Sequence, residues 1–193
     1  MTAKLYNKLQ EFEPVSMNFG FVVGLTFFLM LLSPCSIVSG FELKSQYTTI
    51  YYEQEDLLRQ FDSKVSFGRI SYLLHNKTST TTEDEVKNKV DVLIERVEAI
   101  LDMHPDDFRI RIVILPTTSD IKKAIKATSA QEADLVAFYT PRGKTVYVSV
   151  SDIRLGVLAH EFGHAVVDSY FVVGPPPKIH EVMAQYVEIH LYD

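Results

Sequence analysis

The chain has 193 residues, of which 47% are hydrophobic and 23% are charged, and its formal net charge is -6. This length suits one compact domain and is short for two. The acidic balance argues against a nucleic-acid partner, because phosphate binding needs clustered lysine and arginine side chains. Cys35 is the only cysteine, so an exported form has to rely on its core or on a metal rather than on an internal disulfide.

Residues 1–40 are predicted to be a signal peptide or an N-terminal membrane anchor. Residues 19–32 carry no charge, and their length fits the apolar core of a signal peptide. The alternative is an uncleaved anchor, since residues 19–38 are just long enough to span a bilayer and would associate the protein with a membrane. On either interpretation we expect the domain formed by residues 41–193 to be exported, to the periplasm or the extracellular space.

The rest of the sequence alternates between short β-type runs and stretches with the apolar spacing of helices. In chain order, the patterns predict a strand at 47–52, helices at 53–65 and 83–103, a strand at 109–115, a helix at 119–128, strands at 135–139 and 145–150, and helices at 153–172 and 179–191. This order predicts an α+β fold, in which one small mixed sheet has its helices packed mainly on one face.

The chemistry is concentrated in the motif HExxH, formed by residues 160–164 within a predicted helix. Because four residues bring a helix nearly back to the same face, His160 and His164 can both reach one metal ion. Glu161 lies one step round the helix, where its carboxylate can act on a water molecule at the metal. The non-functional alternative is a surface helix with two solvated histidines.

A catalytic zinc site commonly has three protein ligands, so one more ligand is expected elsewhere. Glu181 and Glu188 on the last predicted helix both qualify, and their spacing of seven residues puts them on similar faces. Asp168 follows His164 by four residues and can either orient a histidine from outside the ligand set or be a surface charge. His180 is expected on the flank of the last helix.

The segment LAHEFGHAVVDSYF, followed by PPKIHEVMAQYVE, resembles the gluzincin branch of the zincin metallopeptidases, which includes thermolysin. The likeness is greater to the compact minigluzincin or peptidase MA-like domains. In that branch HExxH lies on one helix, and a glutamate in the context E-x-x-A-x-Y lies on the following helix. Here that context is Glu181, Ala184 and Tyr186. Gln185 stands where thermolysin-like enzymes have an aspartate, which is a departure from the pattern.

The resemblance implies a zincin-like single domain at residues 41–193 that hydrolyses peptide bonds of peptide or protein substrates. It assigns Zn²⁺ to His160, His164 and Glu181, and the role of general base to Glu161. It also implies an edge strand beside the cleft that pairs with extended substrate, and residues 145–150 are the expected strand.

Several roles stay open at this point. In the family, the residue that stabilises the oxyanion comes from a second subdomain, and the candidates here are Tyr139, Tyr147, Tyr186 and His190. A different class of function is an exported zinc-binding module or pseudo-enzyme, which would use a zincin fold for envelope interaction without catalysis. Residues 41–64 can also be a pro-segment that lies across the cleft in a latent form. The sequence predicts no particular oligomeric state.

Overall fold

The structure is a computed structural model that describes residues 40–126 and 135–193. The predicted signal peptide or anchor, except for its last residue, and the end of the helix predicted at 119–128 lie outside these residues. Within the two described ranges, no helix combines the length and the apolar character that a bilayer crossing requires.

The described residues form strands, α-helices and one short 3-10 segment. The strands are β1 (Phe41–Lys44), β2 (Thr48–Tyr52), β3 (Ile110–Leu115), β4 (Ala137–Thr140) and β5 (Thr145–Ser149). The helices are α1 (Glu55–Lys64), α2 (Thr82–Leu101), α3 (Thr118–Lys126), α4 (Leu155–Tyr170) and α5 (Pro177–His190), and the 3-10 segment is Gly68–Leu74.

The strands form one mixed sheet in the order β1-β2-β3-β5-β4. The central strands β2, β3 and β5 run parallel, whereas β1 and β4 pair antiparallel at the two edges. The register sets Ile50 beside Ile112 and Ile112 beside Val146, and all three side chains are fully buried. The predicted α+β class with a mixed sheet is therefore confirmed.

One hydrophobic core joins this face of the sheet to α1, α2 and α4. The long helix α2 begins at an N-cap, where the side chain of Thr81 accepts a hydrogen bond from the backbone N–H of Asp84. In α4, Leu158, Phe162 and Val166 are fully buried at the spacing that gives a helix an apolar face. This packing holds the helix that carries HExxH rigidly beneath the sheet.

One expectation about the edges of the sheet is wrong, and one open alternative does not match this structure. Residues 145–150 do not provide the open edge, because β5 is paired on one side with β3 and on the other with β4. The open edge near α4 belongs to β4. Residues 41–64 do not lie across a cleft: β1 forms the opposite edge of the sheet, and α1 buries Leu57, Leu58 and Phe61 in the core.

Candidate functional site

The site is built where α4 and α5 approach each other closely. A Cβ atom added to Gly163, the fourth residue of HExxH, would lie 3.1 Å from the Cα atom of Ala184 in α5. This distance is tighter than nine in ten real contacts of a Cβ atom, so any larger residue at position 163 would require the backbone of α5 to move by a few tenths of an ångström. Ala184 and Val187 are the buried residues of α5.

Helix α5 starts after a stretch that cannot continue α4. Gly174, Pro175 and Pro176 lie between the two helices, and Pro177 is the first residue of α5. Proline suits this first position because its missing N–H would have no partner within the helix. The first residue of α5 is thus defined by Pro177, and the positions of the polar residues of α5 that face α4 follow from that start.

His160, His164 and Glu181 come together between the two helices. The Glu181 Oε1 atom lies 3.6 Å from His160 Nε2, and its Oε2 atom lies 3.4 Å from His164 Nε2. One ligand atom from each of the three residues lies within 4.8 Å of the others. Two imidazole nitrogens and a carboxylate at this spacing can hold a metal ion.

Glu188 lies on the other side of the first histidine. Its Oε2 atom is 3.6 Å from His160 Nδ1, the ring nitrogen that does not face Glu181. His160 Nδ1 is buried and has no hydrogen-bond partner among the described residues. Glu188 is therefore placed to attract the outer nitrogen of His160, whereas Glu181 shares the space between the two Nε2 atoms.

His180 belongs to the site, although it was expected on the flank of α5. Its Nδ1 atom lies 2.8 Å from the Nδ1 atom of His164, and the two rings stack with centroids 5.0 Å apart. The sequence did hold a signal: residues 180, 184 and 187 share one face of a helix, and the last two are buried against α4.

Glu161 is buried between α4 and the edge strand β4. Its Oε2 atom accepts a hydrogen bond of 2.7 Å from the backbone N–H of Tyr139. Burial raises the pKa of the Glu161 carboxyl to about 7, although the Tyr139 N–H opposes this shift; the nearby Glu181 carboxylate adds to it. A carboxyl group with a pKa near neutrality can both take and give a proton.

Asp168 does not orient a histidine. It accepts a hydrogen bond of 2.7 Å from the hydroxyl of Tyr139, and burial together with this carboxylate raises the pKa of the Tyr139 phenol well above its ordinary value. The reason is geometric: α4 passes beneath β4, so a residue one turn beyond His164 meets the strand rather than the group formed by His160, His164 and Glu181. Tyr139 is thereby held at two points by α4.

Among the four candidates for oxyanion stabilisation, Tyr139 is the one that lines the cleft. Tyr186 is 48% exposed, and its ring lies against that of His190 at 4.1 Å. The imidazole of His190 is paired with Asp193. Tyr147 lies on β5, outside the cleft lining. Since the Tyr139 hydroxyl already donates to Asp168, the geometry favours none of the four as it stands.

A cleft of about 730 Å³ opens over the cluster. Its walls combine His160, His164 and Glu181 with apolar residues from β4 and from the connection between α4 and α5. The lining residues outside the cluster are Leu135, Phe138, Tyr139, Pro141, Glu161, Asp168, Gly174, Pro175, Pro177 and His180. The side-chain amide of Gln185 donates a hydrogen bond of 3.0 Å to Glu181 Oε1, which fixes the orientation of that carboxylate.

A scan against protein-family models, a search of curated proteins and a search of solved structures each returned no match for this chain.

Proposed function

We propose that the protein is a zinc-dependent metallopeptidase of the gluzincin type, with a zincin-like domain at residues 41–193. The observation that carries the proposal is the meeting of His160, His164 and Glu181 beside the buried carboxyl of Glu161. These four side chains come from two helices, and they open into one cleft. An exported location, with or without an N-terminal anchor, is part of the same proposal.

The donor set fits zinc better than magnesium or calcium. Imidazole nitrogens suit zinc, whereas magnesium and calcium prefer oxygen ligands. Three protein ligands leave one coordination position open for water or substrate, which is the arrangement of catalytic rather than structural zinc sites. His160, His164 and Glu181 would hold the ion, and His180, Glu188 and Gln185 would orient these three ligands.

The reaction would be hydrolysis of a peptide bond. When bound, zinc supplies Lewis acidity that polarises the scissile carbonyl and lowers the pKa of water towards about 7. Glu161 takes the proton from the attacking water and then gives it to the leaving amine. Its buried position and its raised pKa suit both steps. The bond from Tyr139 holds the carboxylate in one orientation during the exchange.

Strand β4 is the proposed docking edge for the substrate. It is the outer strand of the sheet on the side of α4, and its residues Phe138 and Tyr139 line the cleft. An extended peptide can add to such an edge through backbone hydrogen bonds. The apolar walls formed by Leu135, Phe138 and Pro141 would accept apolar side chains of a peptide or protein substrate.

A zinc-binding module without catalytic activity is the second candidate. One observation favours it: the Glu161 carboxylate satisfies the N–H of Tyr139 at 2.7 Å, so this residue can be explained as a structural tie between α4 and β4. A glutamine would keep that hydrogen bond, because its side-chain oxygen is also an acceptor. It would not accept a proton from water.

The test therefore compares the full chain with its Glu161→Gln variant, by metal analysis and by hydrolysis of a mixed peptide library. The proposal expects about one zinc per chain in both proteins, and a loss of hydrolysis of at least about 100-fold in the variant. Zinc in both proteins with no hydrolysis by either would select the binding module. Absence of stoichiometric zinc from the unmodified chain would overturn both functions.

A further inference from the structure

The connection between α4 and α5 exposes an apolar surface that the metal site does not use. Tyr170 and Phe171 are 47% and 36% exposed, and Val172 and Val173 are 104% and 84% exposed. We call residues 170–173 the apolar loop. A single exposed valine needs no explanation, but four consecutive large apolar residues form a contiguous patch, and such patches mark interaction sites.

The apolar loop is presented at the entrance of the cleft. It is followed directly by Gly174 and Pro175, which both line the cleft. The three prolines at 175–177 restrict the backbone that leads into α5. The position of the loop relative to the site is therefore constrained, whereas the side chains of Val172 and Val173 are exposed to solvent.

Basic residues adjoin the apolar loop. The Nζ atom of Lys144 donates a hydrogen bond of 3.3 Å to the Ser169 hydroxyl, next to Tyr170. Lys144 and Arg142 are both exposed in the turn between β4 and β5, which we call the basic turn. The Arg111 guanidinium donates to the carbonyl of Gly143 at 2.7 Å and adds a third positive charge. This local charge is opposite in sign to the net charge of -6 of the chain.

We propose that the apolar loop and the basic turn together dock the domain on an anionic lipid surface. An apolar tip enters the boundary between headgroups and acyl chains, and neighbouring lysine and arginine side chains attract lipid phosphates. An anionic lipid surface is the partner that would use both the apolar loop and the basic turn. A second copy of the chain, whose net charge is negative, would be matched by the charge of the turn but would not need the two protruding valines.

If residues 19–38 form the uncleaved anchor, they would hold the domain beside a membrane and so favour this partner, whereas a cleaved signal peptide would not. Docking would turn the cleft entrance towards the lipid surface. The substrate class that follows is a peptide segment close to a membrane. This last consequence rests on the proposed peptidase function, whereas the docking itself does not.

The chain contains no tryptophan, which permits a direct test on the full chain. Val172→Trp places the single tryptophan of the variant at the tip of the apolar loop, at a fully exposed position. Tyr72→Trp is the matched control, since Tyr72 is 53% exposed on the 3-10 segment. The control position lies near the opposite end of α5 from the apolar loop, because Arg69 of the same segment is 5.3 Å from the ring of Tyr192, just after the end of α5. A helix of 14 residues puts about 20 Å between its two ends.

Both proteins are mixed with vesicles of phosphatidylcholine and phosphatidylglycerol that contain brominated acyl chains. We expect Val172→Trp to show blue-shifted emission and quenching by bromine, and Tyr72→Trp to show neither. Adding Arg142→Gln and Lys144→Gln to the Val172→Trp protein should lower the ratio of docked to free loop about 25-fold, at roughly fivefold for each basic side chain near an anionic surface.

Three results would overturn the proposal. The first is quenching at position 172 no greater than at position 72. The second is equal quenching with purely phosphatidylcholine vesicles, which would remove the role of the basic turn. The third is a blue shift that grows with protein concentration without vesicles, which would identify a second copy as the partner. Because the readout requires neither metal nor hydrolysis, failure of the peptidase function would leave the docking result unchanged.

Discussion

The imidazole rings of His164 and His180 meet Nδ1 to Nδ1 at 2.8 Å. If His164 presents its Nε2 atom to a metal, its Nδ1 atom carries the proton and donates to His180. His180 Nδ1 must then be the acceptor, so the His180 ring is neutral and has its own proton on Nε2. In that arrangement the bond holds His164 in the tautomer that can bind a metal.

His180→Ala is expected to weaken zinc affinity by about 10–100-fold, the usual effect of losing a group that orients a ligand. His180→Asn should retain most of the affinity, because its side-chain oxygen can take the position of Nδ1. His190→Ala is the matched control, since His190 is a histidine of the same helix outside the cleft lining. Affinity is measured by competition with a chromophoric chelator. Equal affinities for His180→Ala and His190→Ala would contradict the orienting role.

Glu181 and Glu188 provide a comparison of two carboxylates on one helix. Glu181→Ala should abolish stoichiometric zinc, because Glu181 faces both Nε2 atoms. Glu188→Ala should keep one zinc per chain with an affinity lower by roughly tenfold or less, because Glu188 approaches only the outer nitrogen of His160. Metal content after dialysis distinguishes the two variants. The reverse order of effects would make Glu188 the ligand.

Gly163→Ala is expected to separate α4 from α5. The new methyl group would lie 3.1 Å from the Ala184 Cα atom, a backbone atom that cannot rotate away. Overpacking of this kind costs about 1–3 kcal/mol of unfolding free energy, and displacement of Glu181 should weaken zinc binding as well. Urea unfolding and chelator competition measure the two effects.

The control for this substitution is Gly156→Ala in the same helix. Its methyl group would lie 3.5 Å from the Glu188 Cγ atom, an ordinary contact with a flexible side chain. Gly156 is the second residue of α4, so alanine there is expected to leave the unfolding free energy unchanged or to raise it by up to about 1 kcal/mol. If both variants proved equally stable, the close approach at Gly163 would not determine the packing of the two helices.

The metal-free protein should show opposing effects of pH on stability. The pKa of Glu161 is raised to about 7 in the folded state, against about 4.3 in the unfolded chain. The stability that Glu161 contributes is therefore fully present below about pH 4.3 and is lost as the pH rises towards 7. The pKa of His164 is lowered to about 4, chiefly by burial. The folded state therefore binds fewer protons there than the unfolded state, and stability increases as the pH rises from about 4 to 6.5.

Between about pH 4.5 and 6.5 the two contributions oppose each other, and the unmodified protein should change little in stability. Glu161→Gln removes one of them, so its stability should rise over this range by an amount on the order of 1–3 kcal/mol. Urea unfolding of chelator-treated protein at several pH values measures the difference. A Glu161→Gln protein whose stability follows the same pH dependence as the unmodified chain would contradict the assignment.

Features with a strong local signal were predicted from the sequence. The apolar spacing of α2 and α4 and the alternation of β3 gave elements within a few residues of their observed bounds, because these residues bury one face each. HExxH also lies within one helix, so the relative position of His160 and His164 required no knowledge of the fold. That Glu181 lies near these two histidines depends, in contrast, on the packing of α5 against α4.

Features set by pairing between distant segments were not predicted. Strand β1 has four residues, of which only Leu43 is buried, and it exists because β2 offers it an edge. The choice between β4 and β5 as the outer strand depends on which of them pairs with β3, and both have similar local patterns. The bond between Tyr139 and Asp168 joins residues 29 positions apart, which no periodicity reveals.

Tyr139 belongs to the outer strand of the sheet, yet its backbone and its hydroxyl are both bonded to α4. Tyr139 therefore links two properties: the binding of a peptide at the β4 edge and the proton affinity of Glu161. Thermodynamic reciprocity then applies: a ligand that shifts β4 changes the ease with which Glu161 takes up a proton, and protonation of Glu161 changes the affinity of that edge by the same factor. Peptide binding at the edge would thus be coupled to the protonation of the residue beneath it, without any movement of a separate domain.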